Sequence, residues 1–193
     1  AASDVYKRQV VESSMTAWNG GWYVVNGAVT IGDRVTVSGE VHLILADNAS
    51  LTANNGINVA EDNSFSVYAQ SVGENMGTLT ASGGENAAGI GGSQDGSGGN
   101  IIIHGGTVKA TGGGFAAGIG GSDGSGGTIT IHGGNVKANG GDEAAGIGGG
   151  YGASGGTITI NGGTVKATGG DLAAGIGGGC RGSGCNITIS GGS

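Results

Sequence analysis

The chain has 193 residues, a net charge of −7, 50 glycines and no proline. The absence of proline and of an every-third-residue glycine excludes collagen, and only seven lysines plus arginines argue against a general nucleic-acid binder. Hydrophobic residues make up 36% and recur in register, which disfavours disorder, and no apolar run is long enough to cross a membrane as a helix.

Residues 1–20 lack a repeat pattern. Asp4-Val-Tyr-Lys-Arg-Gln9 looks like translated adapter sequence from library preparation, so 1–20 is read as a non-native or capping segment, with Val10–Trp18 supplying apolar residues for a lid. A single solenoid is expected over 21–193. Its first, short coil uses Tyr23 and Val25, Val29 and Ile31, Val35 and Val37; a second uses Leu43 and Leu45, Leu51 and Ala53, Ile57 and Val59. Longer coils follow through Phe65 and Val67, Leu79 and Ala81, Ala88 and Ile90, then Ile101 and Ile103, Val108 and Ala110, Ala117 and Ile119. Two more carry Ile129 and Ile131, Val136 and Ala138, Ala145 and Ile147, then Ile158 and Ile160, Val165 and Ala167, Ala174 and Ile176. The phrase Ala-Ala-Gly-Ile-Gly-Gly begins at Ala87, Ala116, Ala144 and Ala173, at intervals of 29, 28 and 29 residues.

Apolar residues two apart lie on one side of a strand, and the glycine pairs between them break any helix. A fixed period of this size makes each unit one coil, completed only by its neighbours. The prediction is an all-β, right-handed, three-sided parallel β-helix, with coils of 28–29 residues in the C-terminal half and shorter ones before it. Ile101, Ile129, Ile158 and Ile187 should stack in one interior column about 4.8 Å apart. The third strand, with alanine and glycine beside one isoleucine, predicts close backbone approach. Asn186-Ile-Thr-Ile-Ser-Gly-Gly starts another coil, so the natural chain is expected to continue, and the open edge suits end-to-end association.

Gly21-Trp-Tyr-Val-Val-Asn-Gly, Val35-Thr-Val-Ser-Gly-Glu-Val-His-Leu-Ile-Leu-Ala-Asp, Leu51-Thr-Ala, Gly56-Ile-Asn-Val, Ser66-Val-Tyr-Ala-Gln and the four repeated phrases carry a resemblance. Residues 21–193 resemble the Gly-rich repeat regions of large bacterial cell-surface proteins described as adhesin-like or carbohydrate-binding-domain-containing. The resemblance implies a secreted or wall-attached β-helix forming one region of a long polypeptide. It carries over no catalytic motif.

Lys109, Lys137 and Lys166 occupy one outward position in three coils, a speculative basic ladder for an acidic glycan. The plainer reading is solvated lysine partly neutralised by Asp142 and Asp171. His104 and His132 stack before a glycine pair, but Asn161 and Ser190 follow in that column, so stacked turn residues account for them better than a metal site. No metal centre or cofactor is assigned; an isolated calcium ion near Asp95 or Asp123 is the one exception left open. Thr128, Thr130, Thr157 and Thr159 form two outward Thr-x-Thr pairs, as on ice-binding solenoids, but the array is interrupted at Asn100, Ile102 and Asn186. Cys180 and Cys185, the only cysteines, are expected to form a disulfide pinning the last turn, as suits an oxidising compartment.

The fourteen carboxylates read as scattered, with no acid pair facing another, so a polysaccharide lyase or glycosidase is the alternative rather than the first reading. Eight aromatic residues, with Trp18, Trp22 and Tyr23 near the start, read as a poor sugar-stacking platform. The functional expectation is a non-catalytic structural or adhesive segment at the cell surface, contacting extracellular polysaccharide or a host or cell-surface glycan.

Overall fold

The structure, a computed structural model, describes residues 8–193 and consists of parallel strands wound into a solenoid, with no helix among the described residues. The apolar alternation produces three ladders of hydrogen-bonded strands. The first ladder contains Ala17–Val25, Val35–Leu45, Ser64–Ala69, Asn100–Ile103, Thr128–Ile131, Thr157–Ile160 and Asn186–Ile189. The second contains Ala28–Ile31, Ser50–Ala53, Thr78–Ser82, Thr107–Thr111, Asn135–Asn139 and Thr164–Thr168. The third is built from two-residue strands: Ile57–Asn58, Ile90–Gly91, Ile119–Gly120, Ile147–Gly148 and Ile176–Gly177.

Register gives the coil lengths directly. Tyr23 pairs with Leu43, Leu43 with Val67, Val67 with Ile103, Ile103 with Ile131, and Ile131 with Ile160, so successive coils add 20, 24, 36, 28 and 29 residues. The core follows the predicted columns. Ile101, Ile129 and Ile158 are fully buried in the first ladder, Leu51, Leu79 and Val108 in the second, and Ile57, Ile90, Ile119 and Ile147 in the third. Each such side chain contributes roughly 1.5–3 kcal/mol of burial, enough for coils to build a core without a helix. The last member, Ile187, is 44% exposed, because no further strand covers Asn186–Ile189.

Two features near the N-terminus differ from the sequence pattern. Val41, rather than Leu43, pairs with Phe65, so the inward pair of that strand is Val41 and Leu43, with Leu45 buried beyond them. The strand Val35–Leu45 is long enough to serve two ladders: its start pairs with Ile57–Asn58 and its remainder with Ser64–Ala69. Residues before Gly21 join the solenoid. Gln9–Val10 pairs in parallel with Tyr23–Val24, Val11 is 2% exposed, and the buried Trp18 stacks on Tyr23 with ring centroids 5.3 Å apart. Residues 4–7 of the adapter-like stretch lie outside the described residues.

Arg34 stitches the irregular coils to the regular ones. Its Nε donates to Ser93 Oγ at 3.2 Å, Nη1 to the carbonyls of Asn55 and Ala88 at 2.8 and 2.9 Å, and Nη2 to those of Gly91 and Gly92 at 3.1 and 2.9 Å.

Candidate functional site

With every apolar column turned inward, the outward residues form columns too, and the faces differ in chemistry. On the second ladder Lys109 pairs with Lys137 and Lys137 with Lys166, all three exposed. Thr107, Asn135 and Thr164 run beside them, and the lysine stems border a shallow cleft of about 190 Å³. Asp142 and Asp171 form no ion pair with these lysines: among the described residues the one ion pair within 4.0 Å joins His42 to Glu40. The register explains this, since the strand directs each lysine outward while the acids sit beyond the following glycine turn.

The expected stack of His104 and His132, followed by Asn161 and Ser190, is formed on the first ladder, and it extends towards the N-terminus as a longer ring column. Trp22 stacks on His42 at 4.3 Å and contacts Tyr68 at 5.4 Å; Tyr68 stacks on His104 at 4.4 Å, and His104 on His132 at 5.1 Å. Asn161 continues the row with its amide 3.2 Å from His132 Nδ1, and Ser190 donates to Asn161 Oδ1 at 2.9 Å. Trp22, one of the aromatic residues near the start, is thus joined in a line to Tyr68 and the two histidines beyond it. Trp22 is in register with His42, and Tyr68, His104 and His132 follow the paired residues Val67, Ile103 and Ile131; Tyr68 stands two residues past Ser66, the register partner of His42, and closes the line diagonally. Because the rings face one another, the row presents ring edges to solvent rather than flat faces for sugar stacking.

Burial, reinforced by the neighbouring His132 and His42, lowers His104 from its ordinary value of 6.5. The unfolded chain therefore takes up a proton before the folded one does. Stability should be level above about pH 6.5 and fall as pH drops through that value. Thermal midpoints from about pH 8 to about pH 5 should decline, and His104→Asn, which copies Asn161, should flatten the decline. An identical decline in that variant would discard the ring row as its cause.

Asp95 and Asp123, expected as separate turn acids, face one another across adjacent coils. This corrects the reading that no acid pair is formed. Burial raises the Asp123 carboxyl above its ordinary range, and its hydrogen bond to Asp95 and the charge there add to the effect. Among the described residues no group of three or more His, Cys, Asp or Glu gathers to hold a metal. The Thr128–Thr157 and Thr130–Thr159 pairs are in register as read.

The expected disulfide is not formed: Cys180 and Cys185 are both free thiols. Cys180 is buried in the turn, its N–H donating to the Glu143 carbonyl and its own carbonyl accepting from Gly152. Cys185 takes the place that Gly156 holds one coil earlier and packs on the core. The two cysteines thus sit in different surroundings, and burial pushes the Cys185 thiol up, which slows its reaction. Denatured, unreduced protein should accept two alkyl groups by mass spectrometry; uptake of none would restore the disulfide.

A family model described as Beta helix repeat matches residues 75–94, 101–123, 129–151 and 158–180. The matches fall on the coils with the most regular register, and the chain carries a β-helix repeat region. No curated protein and no solved structure matches the chain significantly.

Proposed function

We propose that this chain is a non-catalytic structural and adhesive segment of a secreted or cell-wall-attached bacterial surface protein, wound as a right-handed, three-sided β-helix, and that its second face contacts acidic glycans. The observation carrying the ligand class is the column Lys109, Lys137 and Lys166, exposed and without an acidic partner. Three like charges at about 4.8 Å repel each other, and a polyanion lying along the axis relieves that repulsion.

Polygalacturonate and heparin are suitable probes in affinity electrophoresis at low salt. Three exposed contacts at roughly 0.5–1 kcal/mol each predict that changing Lys109, Lys137 and Lys166 together to Ala weakens retention about tenfold or more. Raising the salt should do the same. Undiminished retention by the triple variant would reject the lysine column as the contact, and hydrolysis or elimination of either polymer would favour an enzyme instead.

A further inference from the structure

Two clefts, of about 480 and about 450 Å³, open at equivalent places on different coils. Ser64, Gly98, Gly99, Asn100 and Thr128 help line the first; Ser154, Gly156, Thr157, Ser183 and Asn186 help line the second. Strand register sets Ser64, Asn100, Thr128, Thr157 and Asn186 side by side in one column. The clefts therefore adjoin at Thr128 and Thr157, forming one groove parallel to the solenoid axis. Its origin is a difference in corner length. Residues 60–63 turn tightly between the third and first ladders, whereas the later coils insert longer turns there, 92–99 and 121–127, whose Gly98, Gly99 and Gly127 help line the first cleft. Four steps between five coils make the groove roughly 19 Å long.

We propose that this groove binds a neutral, linear polysaccharide lying along the axis. Its lining is mainly hydroxyls, amides and glycine backbone, with Glu61 and Asp62 at one end and Cys185 towards the other; Asn100 Nδ2 donates to Ser64 Oγ at 3.1 Å and Ser154 Oγ to Ser125 Oγ at 3.4 Å. An apolar ligand finds little to bury in the second cleft. A polyanion is repelled by Glu61 and Asp62 in the lining. The coil step of about 4.8 Å is comparable with the length of one sugar unit in an extended chain and clearly longer than the roughly 3.3 Å rise of an extended peptide. Successive sugars thus meet a hydroxyl or an amide at each step, and weak, water-bridged contacts sum along the polymer. The groove and the lysine column belong to different ladders, so the two sites stand or fall separately.

The test is affinity electrophoresis against xylan, galactomannan, laminarin and hydroxyethylcellulose, with polygalacturonate and poly-lysine run in parallel. At least one neutral polymer should retard the protein equally at low and high salt, and the lysine triple variant should behave as the parent does. Thr128→Val with Thr157→Val keeps the β-branched strand residues and removes two hydroxyls, and should weaken that retention about tenfold. Thr157→Arg, which obstructs the groove from an exposed position, should abolish it. Retention of no neutral polymer, equal retention by the folded double-valine variant, or retention of poly-lysine alone would overturn the proposal. Loss of polygalacturonate binding alone would count against the lysine face and leave the groove in place.

Discussion

Gly148→Ala should cost about 4 kcal/mol of stability, far more than an ordinary alanine substitution. Gly148 lies in the third ladder with φ +134°, a backbone conformation that side chains rarely adopt, and the strain alone costs roughly 1–3 kcal/mol. A Cβ there would also overlap the Gly177 carbonyl and come within 3.2 Å of the Gly155 Cα. Neither neighbour is a side chain that can swing aside. Moving the carbonyl would break its hydrogen bond from the Gly149 N–H, 2.9 Å long, and disturb the adjacent bond from Ile147 to Gly175, also 2.9 Å. Gly91, Gly120 and Gly177 repeat the conformation in register, so a defect at 148 propagates to the coils on both sides. Gly184→Ala is the control: nothing lies within 4 Å of its added Cβ, and its effect should stay within about 0.5 kcal/mol. Urea unfolding of both variants separates the outcomes. A loss below about 1 kcal/mol at Gly148 would show that the third ladder tolerates a wider spacing.

That tight third ladder was legible in the sequence, since the repeated Ala-Ala-Gly-Ile-Gly-Gly leaves room for one isoleucine and otherwise only backbone. The lysine column was equally legible, because Lys109, Lys137 and Lys166 sit at the same place in coils of nearly constant length. The ring row was hidden for the opposite reason. Trp22, His42 and Tyr68 lie in coils of 20, 24 and 36 residues, and no fixed period superimposes them. The same irregularity displaced the pairing of Val41 with Phe65. Trp18 lacks the alternation, so only a place in a capping segment was legible for it; its volume fills the end of the core against Tyr23 and Phe65. Asp95 and Asp123 occupy turns of different length, Gln94 preceding one and Ser122 the other, so their meeting depends on turn geometry rather than spacing. The cysteine pair was misjudged because a flexible loop permits a bond without requiring one. Packing of Cys185 against the core and enclosure of Cys180 in its turn decide otherwise.

Arg34 is the residue for which sequence gave no signal and on which the junction between irregular and regular coils most depends. Arg34→Met should destabilise the protein by about 3 kcal/mol. The guanidinium donates to four backbone carbonyls and one hydroxyl, Asn55, Ala88, Gly91, Gly92 and Ser93, and therefore uses all five of its N–H groups. Burial pushes its pKa down to about 10, which leaves it charged at neutral pH, with carbonyl dipoles in place of a carboxylate. Methionine fills much of the same volume but donates nothing, so carbonyls shaped around a cation lose their partner. Hydrogen bonds to a charged group contribute roughly 1.5–3 kcal/mol each and do not add fully, which sets the expected loss near 3 rather than near ten. Arg34→Lys tests the geometry separately from the charge. A compact ammonium cannot reproduce the planar fork that reaches both Asn55 and Gly92, so lysine should recover less than half of the loss. Hydrogen exchange localises the effect, because the Val35 N–H bonds to the Gly56 carbonyl at 3.0 Å and the Ile57 N–H to the Gly89 carbonyl at 2.9 Å on either side of the guanidinium. Both amides should exchange faster in Arg34→Met, while that of Asn161, bonded to Ile131 three coils further on, should change least. Full rescue by lysine, or uniform exchange along the solenoid, would mean that the positive charge, and not the fork, holds the junction.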